Sequence, residues 1–140
     1  MPENTRALGL RFFIVYVLVA IMAMGISYVL IRYTGLPSGS VFSFLPVFVA
    51  SIDAGHQFYR RSGRRPTSGE NWSMAVVFTV IAFVVSLAIG LAVLGRNLLG
   101  AFDNPMVGVM LAVLTLLTFL SSWFFFRLGA KIQNKAAAKQ

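Results

Sequence analysis

Asp53, His56, Gln57 and Arg60 are spaced so that a helix, turning about 100° per residue, carries all four within roughly 100° of arc. A carboxylate one turn from an imidazole can take up and pass on a proton, since histidine titrates near neutrality and burial raises an aspartate toward that range. The same carboxylate also has a structural use. It can accept hydrogen bonds from Arg60 or Arg64 of the following segment and so lock that segment against a helix bundle. A docking site for a partner protein is a third use of these groups.

The stretch from Asp53 to Trp72 concentrates the polarity of the chain, with two of the four acids, the sole histidine and four of the twelve basic residues. A zinc site is not expected, because one histidine, no cysteine and one nearby carboxylate fall short of a normal ligand set. No serine shares a local constellation with His56 that would make a nucleophile and its base. Gly63, Gly69 and the arginines lack the spacing of a phosphate-binding loop. The phosphates of anionic lipid headgroups are a simpler partner for Arg60, Arg61, Arg64 and Arg65. Neither enzymatic activity, a cofactor nor a metal is therefore expected.

The rest of the chain is mostly hydrocarbon. Of 140 residues, 58% are hydrophobic and 11% charged, where a soluble domain carries roughly 25% charged residues. A water-soluble fold of this size has too little interior for that much apolar surface, so the solvent is lipid. Charge-free runs cover Phe12 to Ile31, Asn71 to Gly95 and Asn104 to Phe126, each near or above the ~20 residues a helix needs to cross a bilayer. A fourth run begins with the turn-like Thr34-Gly-Leu-Pro-Ser-Gly-Ser40, which moves its span to residues 40–59 and places Asp53 and His56 inside it. The first apolar run is too long for a signal peptide and has no small-residue cleavage site after it.

The expected fold is all-α, an integral membrane four-helix bundle. An N-terminal arm takes residues 1–11 and transmembrane helices take 12–33, 40–59, 71–95 and 104–126. A basic link occupies 60–70 and a basic tail 127–140. Gly35 and Pro37 stop the first helix, and Ser38 or Ser40 caps the second. Pro46 frees a carbonyl inside the second helix and bends it. Thr67-Ser-Gly-Glu70 has the spacing of a capping box, so the third helix starts near Ser68, with Trp72 at headgroup depth. Gly95 ends that helix. Asp103 or Asn104 caps the fourth, with Pro105 in its first turn.

Ten Lys and Arg flank one side of the spans (Arg6, Arg11, Arg60, Arg61, Arg64, Arg65, Arg127, Lys131, Lys135, Lys139) and two, Arg32 and Arg96, the other. This bias puts both termini and the link in the cytoplasm. It also explains the net charge of +8 by membrane topology, without nucleic acid. Arg127, Lys131, Lys135 and Lys139 recur every fourth residue. A helix continued past the membrane would show them as one drifting stripe against anionic lipid or an acidic partner.

Lipid gives no hydrophobic drive between helices, so contact relies on small residues and on interhelical hydrogen bonds. Ala82, Ser86 and Gly90, the pairs Ala50/Ala54 and Ser51/Gly55, and Gly108/Ala112 supply candidate seams. They serve the bundle itself or a homo-oligomer. Thr115, Thr118, Ser121 and Ser122 either bond back to their own helix or face Asp53 and His56.

The link resembles that of an uncharacterised family of small bacterial four-helix inner-membrane proteins, at Ala54-Gly55, Phe58, Gly63-Arg64, Pro66, Glu70 and Trp72. The resemblance implies a bacterial inner membrane and carries no activity with it. In layout the chain is also similar to the helper protein of ATP synthase rotor-ring assembly. The expected function is a non-enzymatic accessory or assembly subunit of a larger inner-membrane complex. Asp53, His56, Gln57, Arg60, Arg64 and Glu70 form its polar cluster, and Arg61, Arg65, Trp72, Arg127, Lys131 and Lys135 contact lipid or partner. The alternative is a small oligomeric transporter or proton-coupled channel using Asp53 and His56.

Overall fold

A computed structural model describes residues 3–35, 41–95, 100 and 105–138. Four helices account for nearly all of them: α1 Glu3–Thr34, α2 Val41–Ser62, α3 Ser68–Leu94 and α4 Pro105–Ala137. Among the described residues, Arg6–Thr34, Ser68–Ala92 and Pro105–Ala137 are long and apolar enough to cross a membrane. In such a solvent a helix is the economical structure, since every backbone group must find its partner within the chain.

Each helix is longer than its apolar run. α1 begins at Glu3 and takes in the segment 1–11 expected as a separate arm. α2 continues past Tyr59 to Ser62, and α4 runs unbroken through most of the expected tail. Exposed polar segments flanking a membrane helix can extend it because nothing in Glu3–Arg11 or Arg127–Ala137 breaks a helix except Gly9 and Gly129, and both of these are buried against neighbours. The stops are local. Gly35 and Gly63 turn the chain with φ of 66° and 65°, values that glycine adopts without strain, and their amides bond back to Ile31 and Tyr59. The amide of Gly95 bonds Leu91 in the same way. Thr67 and Glu70 form the expected capping box at the start of α3. Pro46 lies buried within α2 without ending it. The expected caps Ser38, Ser40, Asp103 and Asn104 lie outside the described residues, as do Pro37, Arg96 and Lys139.

Contacts run between α1 and α2, α2 and α4, α4 and α3, and α3 and α1. The helices therefore stand in a ring in the order α1, α2, α4, α3. Gly55 lies against Phe126 and Ala130, and Tyr59 reaches Asn134, so α2 and α4 run parallel. Phe12 stacks on Phe78 and Tyr16 bonds Ser86, so α1 and α3 run parallel as well. The segment joining α2 to α3 thus crosses the bundle's end diagonally.

One phenylalanine from each helix meets at the centre. Phe12 lies nearly flat on Phe78 at 4.2 Å between centroids. Phe126 presents an edge to both Phe78 and Phe58, at 5.6 and 5.7 Å. Such offset and edge-on pairs contribute about 0.5–1.5 kcal/mol each beyond their buried area.

The α2–α4 seam depends on two glycines. A side chain on Gly55 would collide with the carbonyl of Phe126, and one on Gly129 with the carbonyl of Ile52. Ser51/Gly55 and Ala50/Ala54 are all buried, in keeping with both stripes expected on α2. The expected Gly108/Ala112 seam is not used. Gly108 is exposed with nothing near it, and Gly129, almost six turns further on, takes that role.

Packing is confined to one end of the bundle. The last buried residue of α1 is Ala23 and the last of α3 is Val85, while on α4 burial begins only at Ser122. Beyond these points side chains such as Met24, Tyr28, Tyr33, Met106 and Val109 are exposed, as suits a lipid solvent.

Candidate functional site

Asp53 is held by Arg11. The guanidinium donates from Nε to Oδ2 at 2.6 Å and from Nη2 to Oδ1 at 3.1 Å, a fork-to-carboxylate geometry that fixes both side chains. This corrects the expectation that Arg60 or Arg64 would be the partner. The reason is geometric: Arg60 lies almost two turns further along the same helix, whereas antiparallel α1 brings its last charge before the apolar run to the depth of Asp53. The pair ties α1 to α2 and does not lock the link.

His56 is half-buried, and its Nε2 is buried without a hydrogen-bond partner. Gln57 is half-buried and Arg60 exposed. Among the described residues, no hydrogen bond from Asp53 or His56 ends on the hydroxyls of α4. Thr118 bonds back to the Leu114 carbonyl at 2.8 Å, and Ser122 is fully buried with its hydroxyl unpaired.

Arg64 serves Glu70 instead. Its two terminal nitrogens donate to the carboxylate at 2.8 and 2.7 Å, and its guanidinium lies 5.7 Å from the centroid of the Phe58 ring, within cation–π range. The Glu70 carboxylate also accepts from the Thr67 amide at 2.8 Å. Hydrogen bonding and charge from Glu70 raise the Arg64 pKa above its ordinary value. One carboxylate thus closes the link onto itself and caps α3.

Arg65, expected to face lipid or a partner, is also engaged within the chain. The Asn134 amide, oriented by its partners, directs its nitrogen to the Tyr59 hydroxyl at 2.8 Å. Its oxygen then accepts from Arg65 Nε and Nη2 at 3.1 and 2.7 Å. Link, α2 and α4 are fastened together through this one amide. Sequence reasoning missed Asn134 because the expected tail was read as lying outside the bundle. The available signal was the continued burial of small residues, Gly129-Ala130, one turn before it.

What remains on this end, among the described residues, is exposed positive charge. Arg6, Arg60, Arg61, Lys131 and Lys135 are exposed, and Arg127 rests against the Trp123 ring at 5.9 Å. Asp53 and Glu70 are both consumed internally. Trp72 is exposed and leans on Phe119 at 5.1 Å. The expected cluster therefore divides into an Arg11–Asp53 clasp, an Arg64–Glu70 clasp and an exposed basic rim.

No family model matches the chain, and no curated protein or solved structure matches it.

Proposed function

We propose that this protein is a non-enzymatic, multi-pass subunit of the bacterial inner membrane, which docks through its basic end on a larger membrane complex as an accessory or assembly subunit. The observation that carries the reading is the fastening of that end. Arg64–Glu70 and Tyr59–Asn134–Arg65 hold the link and α4 in fixed relation, while Arg60, Arg61, Lys131 and Lys135 are left exposed and Asp53 and Glu70 are each held by another arginine. A rigid cationic rim binds an acidic surface without first having to order itself, which lowers the entropic cost of docking. Anionic headgroups are the neighbours of the same rim within the membrane plane, and a second copy of the chain remains an alternative use of the small-residue stripes.

Residues 40–59 supply the fourth crossing in this reading, and both termini and the link face the cytoplasm, as the bias of basic residues requires. The bacterial inner membrane rests on the resemblance carried by the link. Copurification from mild detergent tests the docking role. A stoichiometric partner is expected, and reversing charge at Arg60, Arg61, Lys131 and Lys135 together should lose it. A chain that recovers no stoichiometric partner, or keeps one after charge reversal, contradicts the reading.

The competing reading, a small proton-coupled channel, draws on the unpartnered His56 Nε2. It is weakened by the two hydrogen bonds that commit Asp53 to Arg11. Flux into proteoliposomes that disappears in Asp53→Asn would favour it.

A further inference from the structure

Where the helices part above the phenylalanine cluster, all four of them border a cleft of about 350 Å³, within the size range of small-molecule sites. Its walls are mainly apolar, Phe83 and Leu111 among them, and they carry the hydroxyls of Tyr16, Thr79, Ser86, Thr115 and Thr118, of which Thr115 makes no hydrogen bond among the described residues and keeps its proton. The proton positions of these hydroxyls set its chemistry. Thr79 donates to the Ala75 carbonyl at 2.8 Å and Thr118 to the Leu114 carbonyl at 2.8 Å. Each has spent its only proton on its own helix and keeps lone pairs toward the cleft. Tyr16 and Ser86 share one further bond at 3.1 Å. The wall therefore has more acceptors to offer than donors.

We propose that this cleft binds a lipid-soluble molecule bearing a hydroxyl group, such as a long-chain or isoprenoid alcohol or a quinol, with the hydroxyl donating its one proton to Thr79 or Thr118 and the apolar body lying along Phe83 and Leu111. Ordinary phospholipids match the wall poorly. Their ester carbonyls only accept, so they can take the proton of Thr115 or the one left over from the Tyr16–Ser86 pair but offer nothing to the lone pairs of Thr79 and Thr118. Tyr16 lies five residues beyond Arg11, about 7.5 Å at 1.5 Å per residue, so the cleft opens on the side of the Arg11–Asp53 clasp away from the basic end. This site is separate from the basic rim and stands whether or not the docking role does.

The test uses the full chain in phosphatidylcholine nanodiscs with a photoreactive, diazirine-bearing hexadecanol. Cross-links are expected on peptides covering residues 79–86 and 111–118, and unlabelled hexadecanol should compete about tenfold better than its methyl ether, which lacks the donor. The Thr79→Val/Thr118→Val double variant should abolish that preference with an unchanged circular-dichroism spectrum. A quinol of similar chain length run in parallel identifies which head group is preferred. Equal competition by the ether, or labelling spread evenly over the lipid-facing helices, overturns the proposal. The wild-type competition alone decides it should the double variant fail to fold.

Discussion

The two clasps look alike on paper and differ in what they hold. Arg11–Asp53 joins two helices far apart in sequence, so removing one partner leaves a charge stranded at the border of the apolar zone. Hydrogen bonds to charged groups contribute about 1.5–3 kcal/mol, and a loss in that range is expected for Asp53→Leu in thermal unfolding in detergent. Exchanging the pair, Arg11→Asp with Asp53→Arg, should recover most of it. A swapped chain no more stable than either single variant would show that the pair contributes little. Glycine 129 allows a sharper test. Gly129→Ala forces a methyl group into the Ile52 carbonyl and is expected to cost about 1–3 kcal/mol through overpacking. Gly108→Ala, which meets nothing within 4 Å, should be neutral or gain up to about 1 kcal/mol from helix propensity. Equal effects at the two sites would mean that the α2–α4 seam is not close-packed.

At the scale of elements, the start of α3 was fully legible, because a capping box is a local pattern and Thr67 and Glu70 satisfy it without help from the fold. The partner of Asp53 was not legible from local sequence. Arg60 and Arg64 are near in the chain, and only the antiparallel placement of α1 makes Arg11 nearer in space. The same holds for Gly129, which reads as one small residue in a basic tail until α2 is laid beside it. Helix ends were misjudged for a related reason, since hydropathy marks where lipid stops and not where a helix does. This separates two outcomes for the link. Thr67→Ala should cost about 1 kcal/mol, and together with Glu70→Ala it should speed tryptic cleavage after Arg61 and Arg64. Asp53→Leu should leave that cleavage unchanged, because its carboxylate does not touch the link. Faster cleavage in Asp53→Leu would return Asp53 to the locking role first expected of it.

For the whole molecule, the structure gathers the start of α1, the link and the far end of α4 at one end, through Arg11–Asp53 and Tyr59–Asn134–Arg65. Nine of the ten basic residues counted for that side, all but Lys139, which lies outside the described residues, thereby gather at one end of the bundle. From Val41 to Ile52, ahead of Asp53, α2 has twelve residues, about 18 Å of helix at 1.5 Å per residue, against a hydrocarbon core of ~30 Å. The shorter α2 fits the open cleft and the exposed side chains of α1 beyond Ala23, such as Tyr28 and Tyr33. Because the chain has no cysteine, single cysteines report position without interference. The most direct measurement is labelling with a membrane-impermeant maleimide at Gly35→Cys, Ser68→Cys, Gly95→Cys and Ala138→Cys, in intact cells and in inverted vesicles. Labelling of the variants at 35 and 95 only in intact cells, and of those at 68 and 138 only in inverted vesicles, is the predicted result. Labelling at 68 and 138 from opposite sides would contradict it.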